Sequence, residues 1–218
     1  MPYTGTDLIS AVQDDLKDAS FSSTRILRYL NYGQNTVANT FRFKFWQTSF
    51  TQILTIGVTT VAQQSNHENT ISGVLVDPAN TATRFKLNRD TYLDNDTFYE
   101  QFPDPTTEKS GMPVFWTEYG DMVVFNCPID KAYSYTQKYR KLPTVIAAGT
   151  TPDVPEAFRE LLELYAVSRA EKYRGNHDIA ATYKQDFEDG LEAMNIRYAM
   201  NIEDGPVFMP SNRTYIEL

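Results

Sequence analysis

The hydrophobic period of this chain changes twice, and those two changes constrain the fold more than any single motif does. Helical spacing rules both ends, and an alternating, Thr/Val/Tyr-rich pattern fills residues 48–140 between them. The clearest helical stretch is Pro155 to Tyr198, which reads as two helices joined at Gly175-Asn176. Pro155 suits a first helical turn and Asp153 is the expected N-cap. Phe158, Leu161, Leu162, Tyr165 and Arg169 mark one face of the first helix. Gly175 supplies a left-handed closing residue, with Lys172 and Arg174 at the negative end of the dipole. Asp178 opens the second helix, whose stripe is Ile179, Tyr183, Phe187, Leu191, Met194 and Tyr198. So short a connection makes the pair antiparallel neighbours.

At the other end, Thr4 or Thr6 caps a helix over about Asp7 to Lys17, with Leu8, Ile9, Val12 and Leu16 on one side. A second helix runs from about Thr24 to Arg42 behind a Ser22 or Ser23 cap. Asn31, Gly33 and Asn35 predict an interruption or a close helix–helix contact midway. Phe41, Phe43, Phe45, Trp46 and Phe50 crowd the point where the period changes.

From Thr48 the stretch TSFTQILTIGVTTVAQ reads as one long strand or a hairpin broken at Gly57, with Phe50, Ile53 and Leu54 as core candidates. QQSNHENT is a polar loop, ISGVLVD a strand, and Asp77 to Asn80 a turn. ATRFKLNRDTYLDND is a further strand with Phe85 and Leu87 alternating against Arg84 and Lys86. FPDPTTEKSGMP is a loop, and a hairpin turns at Tyr119-Gly120-Asp121. A strand of aromatics follows with Tyr133, Tyr135 and Tyr139. The expected fold class is α+β. A four-helix bundle forms from the N- and C-terminal helix pairs (1–47 and 141–198), with an inserted antiparallel β domain (48–140) and an extended C-terminal tail (199–218). Gly205, Pro206 and Pro210 forbid helix in that tail, yet it carries Val207, Phe208, Met209, Tyr215 and Ile216. Such a segment either tucks against its own domain or reaches a partner.

Twenty-eight acidic against 20 basic residues give a formal net charge of −8, a surface that repels phosphate and disfavours sequence-specific DNA binding. Fourteen Tyr are many for 218 residues, and Tyr suits surfaces that must be both packed and hydrogen-bonded. No apolar run approaches the roughly 20 residues of a membrane span. The first ten residues lack the charged and apolar regions of a signal peptide, so synthesis in a cytoplasm is expected.

Catalytic chemistry is not expected. Asp94-Asn95-Asp96 resembles the start of a calcium loop but lacks the Gly and terminal Glu at the required spacing. His67 and His177 read as solvated surface residues, and Cys127 as a small buried hydrophobe. Glu160, Glu163 and Glu171 read as a solvated ion-pair face beside Arg159, Arg169 and Lys172. No phosphate loop and no zinc set occurs, so neither cofactor nor metal is expected.

The order and spacing of several segments is nonetheless familiar. Leu30-Asn31-Tyr32 lies in the early helix pair, a Trp-containing entry leads into the β region, and Gly111 to Pro113 follows. A strand then ends in Tyr139 to Pro143 before Val154 to Phe158 opens the helical hairpin. The chain thereby resembles, over nearly its whole length, the head-to-tail adaptor proteins of tailed bacteriophages, including the tail tubular protein A (gatekeeper) group of podoviruses. The resemblance implies a virion protein that docks as a twelve-membered ring on the portal protein, extends the DNA channel and helps retain the packaged genome. It also implies a surface for a downstream tail or nozzle protein, with DNA passing through without specific binding. On that view the portal-docking arm is Val207, Phe208, Met209, Tyr215 and Ile216, and contacts between neighbouring adaptor subunits involve Arg159, Tyr165, Arg169, Tyr173 and Tyr183. A different expectation is a monomeric module that binds a glycan or peptide on a platform of Trp116, Tyr119 and Tyr133.

Overall fold

The structure, a computed structural model, describes residues 3–198 other than 83 and 88. The expected arm at 199–218, with Val207, Phe208, Met209, Tyr215 and Ile216, lies outside the described residues. What is described is α+β and divides into two compact units, residues 3–46 with 142–198, and Gln47–Lys141.

The helical unit holds α1 (Gly5–Asp15), α2 (Ser23–Thr40), α4 (Glu160–Arg174) and α5 (His177–Tyr198), while α3 (Asn95–Gln101) belongs to the other unit. Thr4 starts α1, its N–H and hydroxyl both donating to the Asp7 carboxylate at 2.6 and 2.7 Å. Helix α4 packs against all three of the others. Tyr3 meets Glu163 near its start while Arg174 at its end reaches Leu16 and Asp18, so α1 runs parallel to it. Arg25 near the start of α2 covers Tyr173, and Gly33 midway faces Tyr165, so α2 runs antiparallel to it. Leu8, Ile26, Leu30, Val37, Leu162, Ala166, Val167 and Met194 make the dry centre. Helix α4 therefore has little free face: Ser168, Ala170 and Glu171 are buried along with the aliphatics.

Several expectations about these helices need correction. Of the two expectations for Asn31, Gly33 and Asn35, the interruption does not occur in α2 and the close contact does. A Cβ on Gly33 would lie 3.1 Å from the Tyr165 ring, so the glycine marks a close crossing. Asp153 is not the N-cap. Its carboxylate accepts from the Thr144 N–H at 2.6 Å, and Pro155 precedes a 3-10 turn, Glu156–Phe158, before α4 begins. Arg169 and Ile179 are exposed, so neither belongs to the apolar stripes, and Ala180 takes the buried place beside Ile179.

The β unit contains two antiparallel sheets. One has the order β1 (Gln47–Ile53), β7 (Ser134–Lys141), β3 (His67–Val76), β4 (Arg84–Leu87); the other has β2 (Thr60–Ala62), β6 (Met122–Phe125), β5 (Trp116–Tyr119). Tyr135 on the central strand β7 meets Phe125 of the second sheet edge-on at 5.8 Å, and Leu54, Leu75, Leu87 and Trp116 complete the shared core. The stretch after Thr48 is neither one strand nor a hairpin. Strand β1 pairs with β7 and β2 with β6, so residues 54–59 cross from one sheet to the other. Ile53 is exposed, since only Leu54 at the crossing turns inward. The expected polar loop QQSNHENT is half strand: His67 to Thr70 begins β3 and pairs with the end of β7 through two register shifts. The strand expected through Asp96 stops at Leu87, and a helix α3 (Asn95–Gln101) follows. Asp94 caps it by accepting from the Thr97 N–H at 3.1 Å and the Thr97 hydroxyl at 2.7 Å, while Phe98 is fully buried. The carboxylates of Asp94-Asn95-Asp96 thus serve a helix start.

Candidate functional site

The start of α4 builds a charged groove. Tyr3, Asp15, Glu156, Ala157, Arg159, Glu160, Glu163 and Leu164 line a space of about 460 Å³, which falls in the range of roughly 300–1,000 Å³ typical of ligand clefts. Asp15, Glu156 and Glu160 are exposed at its rim, and Leu164 is half-buried. The Tyr3 hydroxyl donates to the Glu163 carboxylate. Burial pushes the Glu163 carboxyl above its usual range, and burial with the bond to Glu163 pushes the Tyr3 phenol up as well.

Arg159 is the unusual member. It is only 9% exposed, its guanidinium stands 5.7 Å over the Tyr3 ring, and its Nε and Nη1 find no hydrogen-bond partner among the described residues. A buried donor left unmet costs about 1–3 kcal/mol, and more when charged. Helix geometry explains its position: Arg159 closes the 3-10 turn Glu156–Phe158 with αR dihedrals and is the residue from which α4 starts.

The other residues singled out from sequence scatter over the helical unit. Tyr165 is half-buried on Gly33 and meets Phe187 edge-on at 5.1 Å, with the Arg169 guanidinium 5.5 Å over its ring. Tyr173, 62% exposed, stands at the opposite end of α4 with Arg25 stacked 3.7 Å over its ring. Tyr183 is half-buried against the core. Of the five residues expected at contacts between copies, Arg159 alone lines the groove, together with Glu160 and Glu163 of the expected ion-pair face. Glu171 is not solvated: it is buried, with Arg174 at 3.1 Å and the Asn176 amide donating to it. Arg174 also holds Asp18 at 2.6 Å and donates to the Leu16 carbonyl, so it fastens the α1–α2 connection.

In the β unit, His67 is not a surface residue. Its side chain is 6% exposed, with Nε2 3.0 Å from the Thr70 hydroxyl and 3.5 Å from Glu118. Thr70 donates to Glu118, so its oxygen accepts from the Gln137 amide at 2.6 Å and from His67, which fixes the proton on Nε2. Gln63 adds a further bond to Glu118 at 2.8 Å. Burial pulls the His67 imidazole down to about 4 and pushes the Glu118 carboxyl up. No sequence signal marked this cluster, because Glu118 and Gln137 are far in sequence from Gln63, His67 and Thr70. The aromatic platform does not form: Trp116 and Tyr133 are core residues, and Tyr119 alone of the three is exposed. Cys127 is buried and free. Among the described residues no three His, Cys, Asp or Glu side chains converge as metal ligands, and no helix is long and apolar enough to cross a membrane.

No curated protein matches the chain in sequence. A family model described as SU10 adaptor protein matches residues 3–210. That match takes in both the helical unit that builds the groove and the β unit, so the chain belongs to the SU10 adaptor protein family of bacteriophage adaptors.

Proposed function

We propose that this protein is a structural head-to-tail adaptor that assembles as a ring, twelve-membered as the resemblance implies, on the portal protein. The ring extends the DNA channel, helps hold the packaged genome and offers a surface to a tail or nozzle protein. The family match over residues 3–210 carries this reading. On it, the helical unit is a four-helix bundle forming the body of the ring, with Arg159, Tyr165, Arg169, Tyr173 and Tyr183 at or near contacts between copies. The exposed cluster of Tyr99, Tyr119 and Met122, in which the two Tyr rings stand 6.4 Å apart, supplies apolar area on the β unit for a tail-side partner. Val207, Phe208, Met209, Tyr215 and Ile216 are assigned to portal docking. The net charge of −8 suits a channel that DNA slides through, since Lys and Arg contacts to phosphate are what generate affinity.

The test is to mix the full chain with its portal protein and follow the mass of the complex by light scattering and electron microscopy. A ring bound to portal is the expected outcome. Truncation after residue 204 is expected to abolish attachment while leaving the melting temperature of the subunit unchanged. A protein that stays monomeric with portal present would overturn the reading.

A further inference from the structure

We infer that the groove at the start of α4 is the acceptor for the α4–α5 turn of a second copy of this chain, so that neighbours join head to tail through opposite ends of the same helix. The inference rests on the ring reading above and names the contact that would build it. Two independent features of the groove point to an occupant. Asp15, Glu156, Glu160 and Glu163 concentrate negative charge around it. Arg159, nine-tenths buried among them, keeps Nε and Nη1 without acceptors among the described residues. A ligand that meets both needs must carry a cation and an oxygen acceptor side by side.

The far end of α4 carries that combination. Lys172 and Tyr173 are exposed there, next to Gly175, which closes the helix with φ +88°. The closing N–H groups return to the carbonyls of Glu171 and Lys172. The carbonyls of Tyr173 and Arg174 come after these, in the last turn, beyond the reach of the helix's own hydrogen-bond ladder. Lys172 then faces the rim carboxylates, a last-turn carbonyl accepts from Arg159, and the Tyr173 ring lies against Leu164 and Tyr3. Its neighbour Arg174 is engaged elsewhere, with Asp18 and Glu171, and so is Lys184 on α5, with Glu188. A copy cannot satisfy itself, because the 15 residues of α4 separate the two ends by about 22 Å at roughly 1.5 Å per residue. A contact between unlike surfaces, repeated on every copy, closes rings or runs into filaments and does not stop at a twofold dimer.

A charge swap tests this without touching the buried arginine. Glu160 and Lys172 are exposed, so Glu160→Lys and Lys172→Glu keep the fold, which the thermal melt of each variant checks. Assembly of the full chain is followed by sedimentation against concentration, with and without portal. Each single variant is expected to raise the concentration for assembly by about tenfold or more, and the double variant to recover most of that loss. If the single variants assemble like wild type, the contact lies elsewhere while the ring reading stands. Failure of wild type to assemble even on portal would overturn both. A wild-type particle that stops at a dimer would overturn the head-to-tail contact.

Discussion

The two units bury polar groups for opposite purposes. In the helical unit they reach outward to fasten a connecting segment. Gln34, almost wholly buried on α2, donates to the Thr144 carbonyl at 2.7 Å and accepts from the Asp153 N–H at 3.0 Å. Asn31, one turn earlier, donates to the Ile146 carbonyl at 3.0 Å and accepts from its N–H at 2.8 Å. Two side-chain amides thus stand in for a paired strand and hold the chain that leads into α4. In the β unit the buried polar groups turn on one another: His67, Thr70, Glu118 and Gln137 link the two sheets through side chains alone. One arrangement makes the helical unit depend on a loop, and the other makes the β unit depend on a proton.

That contrast can be broken at its apolar base first. Phe125→Ala removes a fully buried ring that meets Tyr135 and is expected to cost about 3–5 kcal/mol. Hydrogen exchange should show the loss concentrated in β3, β5, β6 and β7, with α4 amides little changed. Equal loss in both units would mean that they unfold as one.

Next in size is the loop fastening. Gln34→Ala removes two hydrogen bonds made by a buried side chain, to the exposed Thr144 carbonyl and the half-buried Asp153 N–H, and at about 0.5–1.5 kcal/mol for each the expected loss is roughly 1–3 kcal/mol. Urea unfolding should show a lower midpoint at an unchanged slope. A change below about 0.5 kcal/mol would mean that water replaces both bonds.

The smallest effect sharpens the other half of the comparison. Because burial holds His67 near 4 against an ordinary 6.5, its contribution is complete above pH 6.5 and is lost as pH falls toward 4. Glu118, pushed up by burial, has the opposite sign: its contribution is complete below its ordinary 4.5 and fades as pH rises through the raised value. Relative to His67→Gln, wild type is expected to lose about 2 kcal/mol between pH 6.5 and pH 4. Parallel stability curves for the two proteins would rule out a titrating His67.

Much of this was legible in the chain. The α4–α5 hairpin with Gly175, the hairpin at Gly120 and the aromatic alternation of β7 all follow from local periodicity and turn chemistry. What stayed hidden depends on contacts distant in sequence. Thr48 to Gln63 reads as one long strand or a hairpin broken at Gly57, yet its halves join different sheets because their partners, β7 and β6, are made far downstream. His67 to Thr70 is polar enough for a loop and becomes strand because Glu118 and Gln137 receive its side chains. Helix α3 did carry a signal, Asp94 three residues before Thr97, masked by the run of Asp and Asn that suggested a metal loop. In the groove, Glu160 and Arg159 were visible as charges, but burial of an arginine without acceptors has no signature in spacing.

The discontinuity of the helical unit also orders events on the ribosome. Helices α1 and α2 are synthesised first, yet the helix that packs against both, α4, ends at residue 174, after both β sheets. Every described strand of the β unit has been made by Lys141, so its two sheets are the first part able to fold as a nascent chain. Leu8, Ile26 and Leu30 meanwhile wait without the helix that will cover them. At roughly 5–20 residues per second, the 33 residues from 142 to 174 prolong that exposure by about 2–7 s beyond completion of the two sheets. That interval is when a nascent subunit is most open to chaperones and to wrong partners.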